Sequence, residues 1–423
     1  MSNETDILTL ADQLWRGEAS IREHHPVGRT GRLQAVEEGV AFLPAFANVS
    51  AFATDDGLVL VDTGSEFTAG HVHSQVRSWS PDRLHTAIYS HGHVDHVFGV
   101  PAFDEEARAA RWPPPRVVAH EALPHRFDRY ILTAGYNGVI NQRQFQVPGL
   151  RWPTDYRYPD ETYVDHHALD VGGVRFELHH AKGETDDHTW TWVPSRKVLC
   201  CGDLFIWASP NCGNPQKVQR YVREWAVALR EMAGLGAELL LPGHGVPVVG
   251  AERIVEALTD TADLLDSLHA QTVAMMNDGA RLDDIVHTVR APAHLLEKPY
   301  LQPVYDDPEF VVHNIWRLYG GWYDGNPSTL KPAPEAELAA ELAALAGGAT
   351  ALATRALELA ARDDGLRLAG HLAELAALAA PDDAAVQAAR AEVFERRVEV
   401  ETSTMAKGIF AWAASESRSR AGS

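Results

Sequence analysis

The stretch Tyr89-Ser90-His91-Gly92-His93-Val94-Asp95-His96 constrains this chain more than any other, because it packs four metal-type side chains into six residues directly behind a strand-like run at 85–90. Along an extended chain alternate side chains share a face. His91 and His93 can therefore converge on one ion, while Asp95 and His96, at the turn into a following helix, reach a second. The ordered H-x-H-x-D-H spacing reads as a two-metal signature, provided that further donors arrive from elsewhere in the chain.

Those donors come in the same register of strand and loop. Asn48 to Gly64 reads as a hairpin split by Asp55-Asp56-Gly57, and Asp62 closes its second strand. Asp62 either brings a carboxylate near the metal loop or caps the turn. A helix over 68–79 leads into the metal loop, and Val117-Val118-Ala119 forms a short strand. The stretch 121–163, weakly periodic and rich in aromatic, Asn and Arg residues, reads as a long functional loop. Within it Tyr136, Asn137, Asn141 and Arg143 offer hydroxyl, amide and guanidinium donors suited to an anionic head group. A strand at 174–180 ends in Gly183-Glu184-Thr185-Asp186-Asp187-His188. A strand pair at 190–193 and 197–201 ends in Gly202-Asp203, with Asn211 beyond it. A helix over 218–232 precedes a buried strand that ends in Gly243-His244-Gly245. Each acid or imidazole cluster follows the C-terminal end of a strand, which is how separate strands aim side chains into one pocket.

Composition bounds the rest. At 423 residues and 45% hydrophobic, the chain has material for two cores. A formal charge of −21 disfavours nucleic acid as a partner. The three cysteines, Cys200, Cys201 and Cys212, crowd one segment and make a poor disulfide framework, so a reducing, cytoplasmic compartment fits. The acidic N-terminus lacks a leader pattern, and no stretch approaches the roughly 20 apolar residues that span a bilayer. Helical spacing returns at 251–278, followed by an aromatic connection at 299–327. From Pro334 onward Ala and Leu dominate, with Leu338/Leu342/Leu345, Leu352/Ala356/Leu359 and Leu368/Leu372/Leu375 at helical spacing. These short helical hairpins gain their stability by packing on each other or on a partner chain. The expected divisions are 1–260 catalytic, 261–333 connecting, 334–414 helical and 415–423 a disordered tail.

In order, residues 48–64, the His91 to His96 run, Gly183-Glu184-Thr185, Gly202-Asp203 and Gly243-His244 resemble the motifs of the metallo-β-lactamase superfamily over roughly residues 40–250. That resemblance implies an α/β fold, an αββα sandwich, with a binuclear site at one edge. It places His91 and His93 on the first metal, Asp95, His96 and His244 on the second, and Asp203 between them. Where the superfamily commonly has the histidine of Gly-His-Thr, this chain has Glu184, and His179, His180 and His188 stand nearby as rival ligands. Glutamate there, the element Gly321-Trp322-Tyr323-Asp324-Gly325-Asn326-Pro327 and the Ala-rich helices are similar to the alkylsulfatase branch, whose members carry a helical dimerisation domain. The sterol-carrier-like domain of full-length members is not expected after the helices.

The resemblance implies a metal-dependent hydrolase with two Zn²⁺ per chain, or Mn or Fe in their place, since imidazole and carboxylate together favour such ions over Ca²⁺ or Mg²⁺. Water between two dications is deprotonated near neutral pH. Asp95 and Asp203 are the catalytic candidates. Tyr136, Asn137, Asn141, Arg143, His188 and Asn211 are the substrate-binding ones, His188 either beside the ligands or facing substrate. Three carboxylates against four metal charges make a weaker Lewis acid than a site with histidine at 184. The expected substrate is a small anionic sulfate ester of an apolar alcohol, cleaved at C–O or S–O, and the expected assembly is a homodimer through the helices. A lactone, β-lactam, thioester or phosphodiester hydrolase and a non-catalytic scaffold are the alternatives.

Overall fold

A computed structural model describes residues 6–28, 30–362 and 364–422. The chain divides into two compact units, residues 1–134 with 152–321, and residues 135–151 with 322–423.

The first unit is built on two sheets. One orders its strands β1 (Gln34–Glu37), β2 (Val40–Leu43), β3 (Val49–Thr54), β4 (Gly57–Val61), β5 (Leu84–Ile88), β6 (Arg116–His120) and β7 (Glu161–Tyr163). Its pairs are antiparallel as far as β4 and parallel from there to β7. The other contains β8 (His166–Val171), β9 (Val174–His180), β10 (Thr189–Val193), β11 (Val198–Gly202), β12 (Leu239–Pro242) and β13 (Val248–Val249), with β11 and β12 parallel and the other neighbours antiparallel.

Continuous apolar runs such as Gly57–Val61 follow from burial on both faces. Because strand side chains alternate, Val40, Phe42, Phe52, Val59 and Val61 join Phe176, Leu178 and Trp190 of the second sheet in one core. Phe52 meets Phe176 edge to face across the sheets, with centroids 5.4 Å apart. The intervening Ala41, Leu43, Ala51, Leu58 and Leu60 pack with residues of helices Ala69–Trp79, Val100–Ala110 and Leu123–Leu132. Helices Val222–Ala233 and Ala251–Asn277 bring Trp225, Leu229, Leu258 and Leu265 to the core that the second sheet shares. The αββα layering is the one expected.

The second unit is helical, with Glu335–Ala346, Ala349–Ala360, Leu366–Ala379, Ala384–Val400 and Thr404–Ala421. Gly347, at φ 91°, ends the first of these in the left-handed region that glycine enters without cost. Alanine, not leucine, faces the bundle in two of these helices. Ala339 and Ala343, and Ala369, Ala373 and Ala376, are buried, whereas Leu338, Leu345 and Leu368 are 53%, 84% and 54% exposed.

Three expectations need correction. The stretch 121–163 is not a loop: it holds helices Leu123–Leu132 and Ala134–Phe145, the second one poorly amphipathic and so unread in the sequence. The boundary at 260 falls inside helix Ala251–Asn277. The tail expected to be disordered is the end of helix Thr404–Ala421, whose Ser417 is buried and accepts from Arg390 (2.7 Å); Ser423 lies outside the described residues. No single helix among the described residues is long and apolar enough to cross a membrane.

Candidate metal centre

The strands β4, β5, β9, β11 and β12 release their chain at one edge of the sandwich, and the loops that follow carry the donor side chains. His91, His93, Glu184 and Asp203 form one group, and Asp95, His96 and His244 another, with the ligand atoms of each within 4.8 Å of one another. Asp203 reaches both: its Oδ2 lies 3.7 Å from His91 Nε2 and 3.2 Å from His244 Nε2, and its Oδ1 3.5 Å from His96 Nε2. Asp95 Oδ2 is 3.5 Å from the Nε2 of both His96 and His244.

The donor set fits a pair of ions. Ligands about 2.0–2.2 Å from one tetrahedral ion lie about 3.3–3.6 Å from each other, close to these separations. His96 Nε2, Asp203 Oδ1 and Glu184 Oε2 are buried without a hydrogen-bond partner, which is costly unless something charged sits among them. The imidazoles are turned for the task. His96 Nδ1 donates to Asp62 Oδ2 (2.7 Å), His244 Nδ1 to the Phe46 carbonyl, and His91 Nδ1 to Ser90 Oγ (2.9 Å), which in turn donates to Asp62 Oδ2 (2.7 Å). The Nε2 atoms of His96 and His244 thereby face Asp203, and that of His91 faces His93 Nδ1 (2.8 Å).

Of the two roles that the sequence offered, Asp62 takes the first and brings its carboxylate to the metal loop. It ends β4 in a left-handed conformation at φ 60° and takes the Ser90 N–H on Oδ1 (2.7 Å) while orienting two rings. Asp187 holds the loop from the other side: its Oδ2 accepts the Gly92 N–H (2.9 Å), and Arg126, itself buried, pairs with its Oδ1 (2.8 Å). Close approach demands glycine at 243, where a Cβ would collide with Asp203 Oδ1 and come 2.9 Å from Gly202 C.

Electrostatics follow from burial. Burial lowers the His91 and His93 imidazoles well below their ordinary range. Burial opposes charge on His96 too, yet Asp203, Asp62 and Asp95 hold it well above that range. Despite burial, His244 and His96 keep Asp203 well below the usual carboxylate range. Burial raises the Glu184 carboxyl against the pull of Arg220.

Of the expected substrate residues, Asn211 is buried and donates its amide to Glu184 Oε1. His188 is fully buried, stacks on His91 and accepts the Asp203 N–H on Nε2 (3.1 Å), so it stands beside the ligands and faces no open space. Tyr136, Asn137, Asn141 and Arg143 lie on helix Ala134–Phe145, all but the first residue of which is counted with the second unit; Asn141 donates to the Asn137 carbonyl (2.8 Å). His179 stacks on Trp190 and His180 on His120, and neither joins a donor group.

Sequence reasoning missed Arg126, Lys217, Arg220 and Tyr305. Arg220 pairs with Glu184, and Tyr305 feels the charges of Glu184, Asp95 and Asp203. Lys217 stands over the Trp152 ring at 5.2 Å, and burial, then Arg220, lowers its ammonium to about 8 against the pull of Asp95 and Glu184. No local motif announces these residues; only the acidic and aromatic company that the fold gives them does.

Comparison with known proteins agrees with this geometry. Residues 43–244 match the metallo-beta-lactamase superfamily, and residues 281–420 match alkyl sulfatase dimerisation. A linear primary-alkylsulfatase of Pseudomonas sp. (strain ATCC 19151) is 30% identical over 318 residues, 69% of this chain and 59% of that protein. An (R)-specific secondary-alkylsulfatase of Pseudomonas sp. is 27% identical over 334 residues, 72% of this chain and 50% of that protein. The chain thus spans a little over half the length of these curated relatives. The structure of the stereoselective inverting sec-alkylsulfatase Pisa1 from Pseudomonas sp. superposes with a TM-score of 0.82 at 24% identity, covering 92% of this chain and 65% of that one, which shows a shared fold. The chain therefore holds a metallo-β-lactamase superfamily domain at residues 43–244 and, after it, an alkyl sulfatase dimerisation region at residues 281–420.

Proposed function

We propose that this protein is a hydrolase of sulfate esters of alkyl or similar apolar alcohols, working with two divalent transition ions, zinc first among them. The observation that carries this reading is the pair of donor groups sharing Asp203 at the edge of the sandwich, in a chain similar to alkylsulfatases. His91, His93, Glu184 and Asp203 would hold one ion, and Asp95, His96 and His244 the other, with Asp203 reaching both. Two such ions, when bound, supply Lewis acidity and lower the pKa of water toward neutrality.

The protein's own residues do the remainder. Asp62, Ser90 and the Phe46 carbonyl fix the rings, and Asp187 with Arg126 fixes the loop that carries them. Asp95, at 17% the most exposed of the three carboxylates, is the one placed to meet a substrate or its proton. Lys217, half-buried over the Trp152 ring and near Arg220, supports an anionic head group beside an apolar tail. The three buried, unpaired cysteines support a reducing compartment such as the cytoplasm.

We further propose a homodimer through the helical unit. Leu338, Leu342 and Leu345 form an exposed stripe one helical face wide, the kind of surface a second copy covers.

Element analysis together with a panel of alkyl sulfates, lactones, β-lactams, thioesters and phosphodiesters tests the activity. The expected result is close to two transition ions per chain and turnover of alkyl sulfates above the rest. Absence of bound metal after reconstitution with Zn²⁺ and Mn²⁺ overturns the reading, and preference for another ester class reassigns the substrate. Hydrolysis in ¹⁸O-labelled water, with the label located in alcohol or sulfate, distinguishes C–O from S–O cleavage.

A further inference from the structure

A guanidinium only 2% exposed beside a group of cation ligands demands an explanation, because burying a charge next to other positive charge is costly unless a partner compensates it. Arg220 Nη1 lies 2.5 Å from Glu184 Oε1 and donates to the Glu184 carbonyl (3.1 Å). The same Oε1 accepts the Asn211 amide, whereas Oε2 is buried with no hydrogen-bond partner. Oε1 thus meets Arg220 and Asn211 and lies 3.9 Å from His93 Nδ1, while Oε2 meets no donor. Arg220 is held in turn from both sides of its backbone: its N–H donates to Asn314 Oδ1 and its carbonyl accepts from Asn314 Nδ2, each at 3.1 Å. Asn314 sits on helix Pro308–Gly320, beyond the end of the metallo-β-lactamase match.

We propose that Arg220, set in place by Asn314, is a positioning residue that cancels the charge of Glu184, so that the Glu184–Arg220 pair acts at the metal centre as a neutral ligand. This rests on the two-ion reading above. Three carboxylates and one guanidinium then balance four metal charges to the same total as a site with histidine at 184, which removes the weaker Lewis acidity expected from counting ligands alone. The pair also explains why glutamate is tolerated where the superfamily commonly has histidine. The segment matched to alkyl sulfatase dimerisation contributes, through Asn314, to the metal centre of the first unit.

Charge balance and simple scaffolding make opposite forecasts for a double substitution. Glu184→Gln should weaken Zn²⁺ binding by about 100-fold, more than loss of one ligand, because it strands the guanidinium beside the ions. Adding Arg220→Met should restore at least about 10-fold of that loss, and Arg220→Lys alone should stay within about 3-fold of the unaltered chain. Affinity is read on the full chain by competition with a chromogenic chelator, with thermal unfolding of the metal-free proteins as the control for folding. A folded double variant that binds Zn²⁺ no better than Glu184→Gln overturns the proposal. Should that variant not fold, Arg220→Lys decides: a loss of about 10-fold or more speaks for geometry over charge and overturns it as well. A starting chain that takes up no Zn²⁺ at all fails earlier and overturns the two-ion reading, whereas an unaltered chain that binds and a pair that does not compensate strike only the inference.

Discussion

Residues at the centre divide into those that hold, those that aim and those that attract. Asp203 holds, since its two oxygens face different donor groups. Asp203→Ala is expected to abolish activity and leave folding intact, because the side chain sits in a loop and fills no core; wild-type turnover, or a collapsed circular dichroism spectrum, counts against that role. His179, stacked on Trp190 away from the donors, should tolerate Gln with little change in metal affinity, and a loss as large as that of Glu184→Gln would hand the ligand role back to histidine. Lys217 attracts. With its ammonium lowered to about 8, it is charged below that pH and neutral above it, so KM for an anionic ester should rise as pH climbs through about 8. Lys217→Met should raise KM and flatten that rise while kcat changes little; an unaltered KM profile removes Lys217 from substrate recognition. The donor side chains that the fold brings together were legible in the sequence because metal chemistry needs few residue types at short spacings, as in His91 to His96. Arg220 and Lys217 were not, because a lone cation after a strand has the same local text whether it meets water or Glu184.

At the scale of elements, the strands were readable and the middle helices were not. β3, β4 and β12 are runs of apolar residues bounded by turn signals, and Asp55-Asp56 marks the hairpin between the first two. Helix Ala134–Phe145 carries Asn, Gln, Gly and Arg around its circumference, so its partners, among them Gly408, where a Cβ would collide with the Gln144 carbonyl, are what a sequence alone does not display. Similarly, the leucines of the Ala-rich helices were read as the packing face, but two alanine faces approach more closely and leave Leu338, Leu345 and Leu368 outside. The inter-sheet core can be probed through Phe52, fully buried against Phe176. Phe52→Ala should cost about 3–5 kcal/mol in denaturant unfolding, and a cost under about 1 kcal/mol would mean that the two sheets do not depend on this contact.

For the whole molecule, the prediction is one of assembly. Leu342→Glu, placed in the middle of the exposed stripe, should shift a dimer toward monomer in sedimentation and leave the helical content unchanged; a dimer that persists moves the interface elsewhere. One consequence of the metal centre's construction concerns order in time. Its donors are drawn from both sheets and from positions as distant in the chain as His91 and His244, so no short segment owns a complete set. On a ribosome, the histidine-dense loop emerges long before Asp203 and His244, and until then it can offer an ion only a weak, incomplete grip. Closing those long loops must come first, at an entropic cost that grows slowly with their length. Ion capture is therefore a late event that reports a finished sandwich, and an ion that binds N but not U favours only chains that have already reached that point.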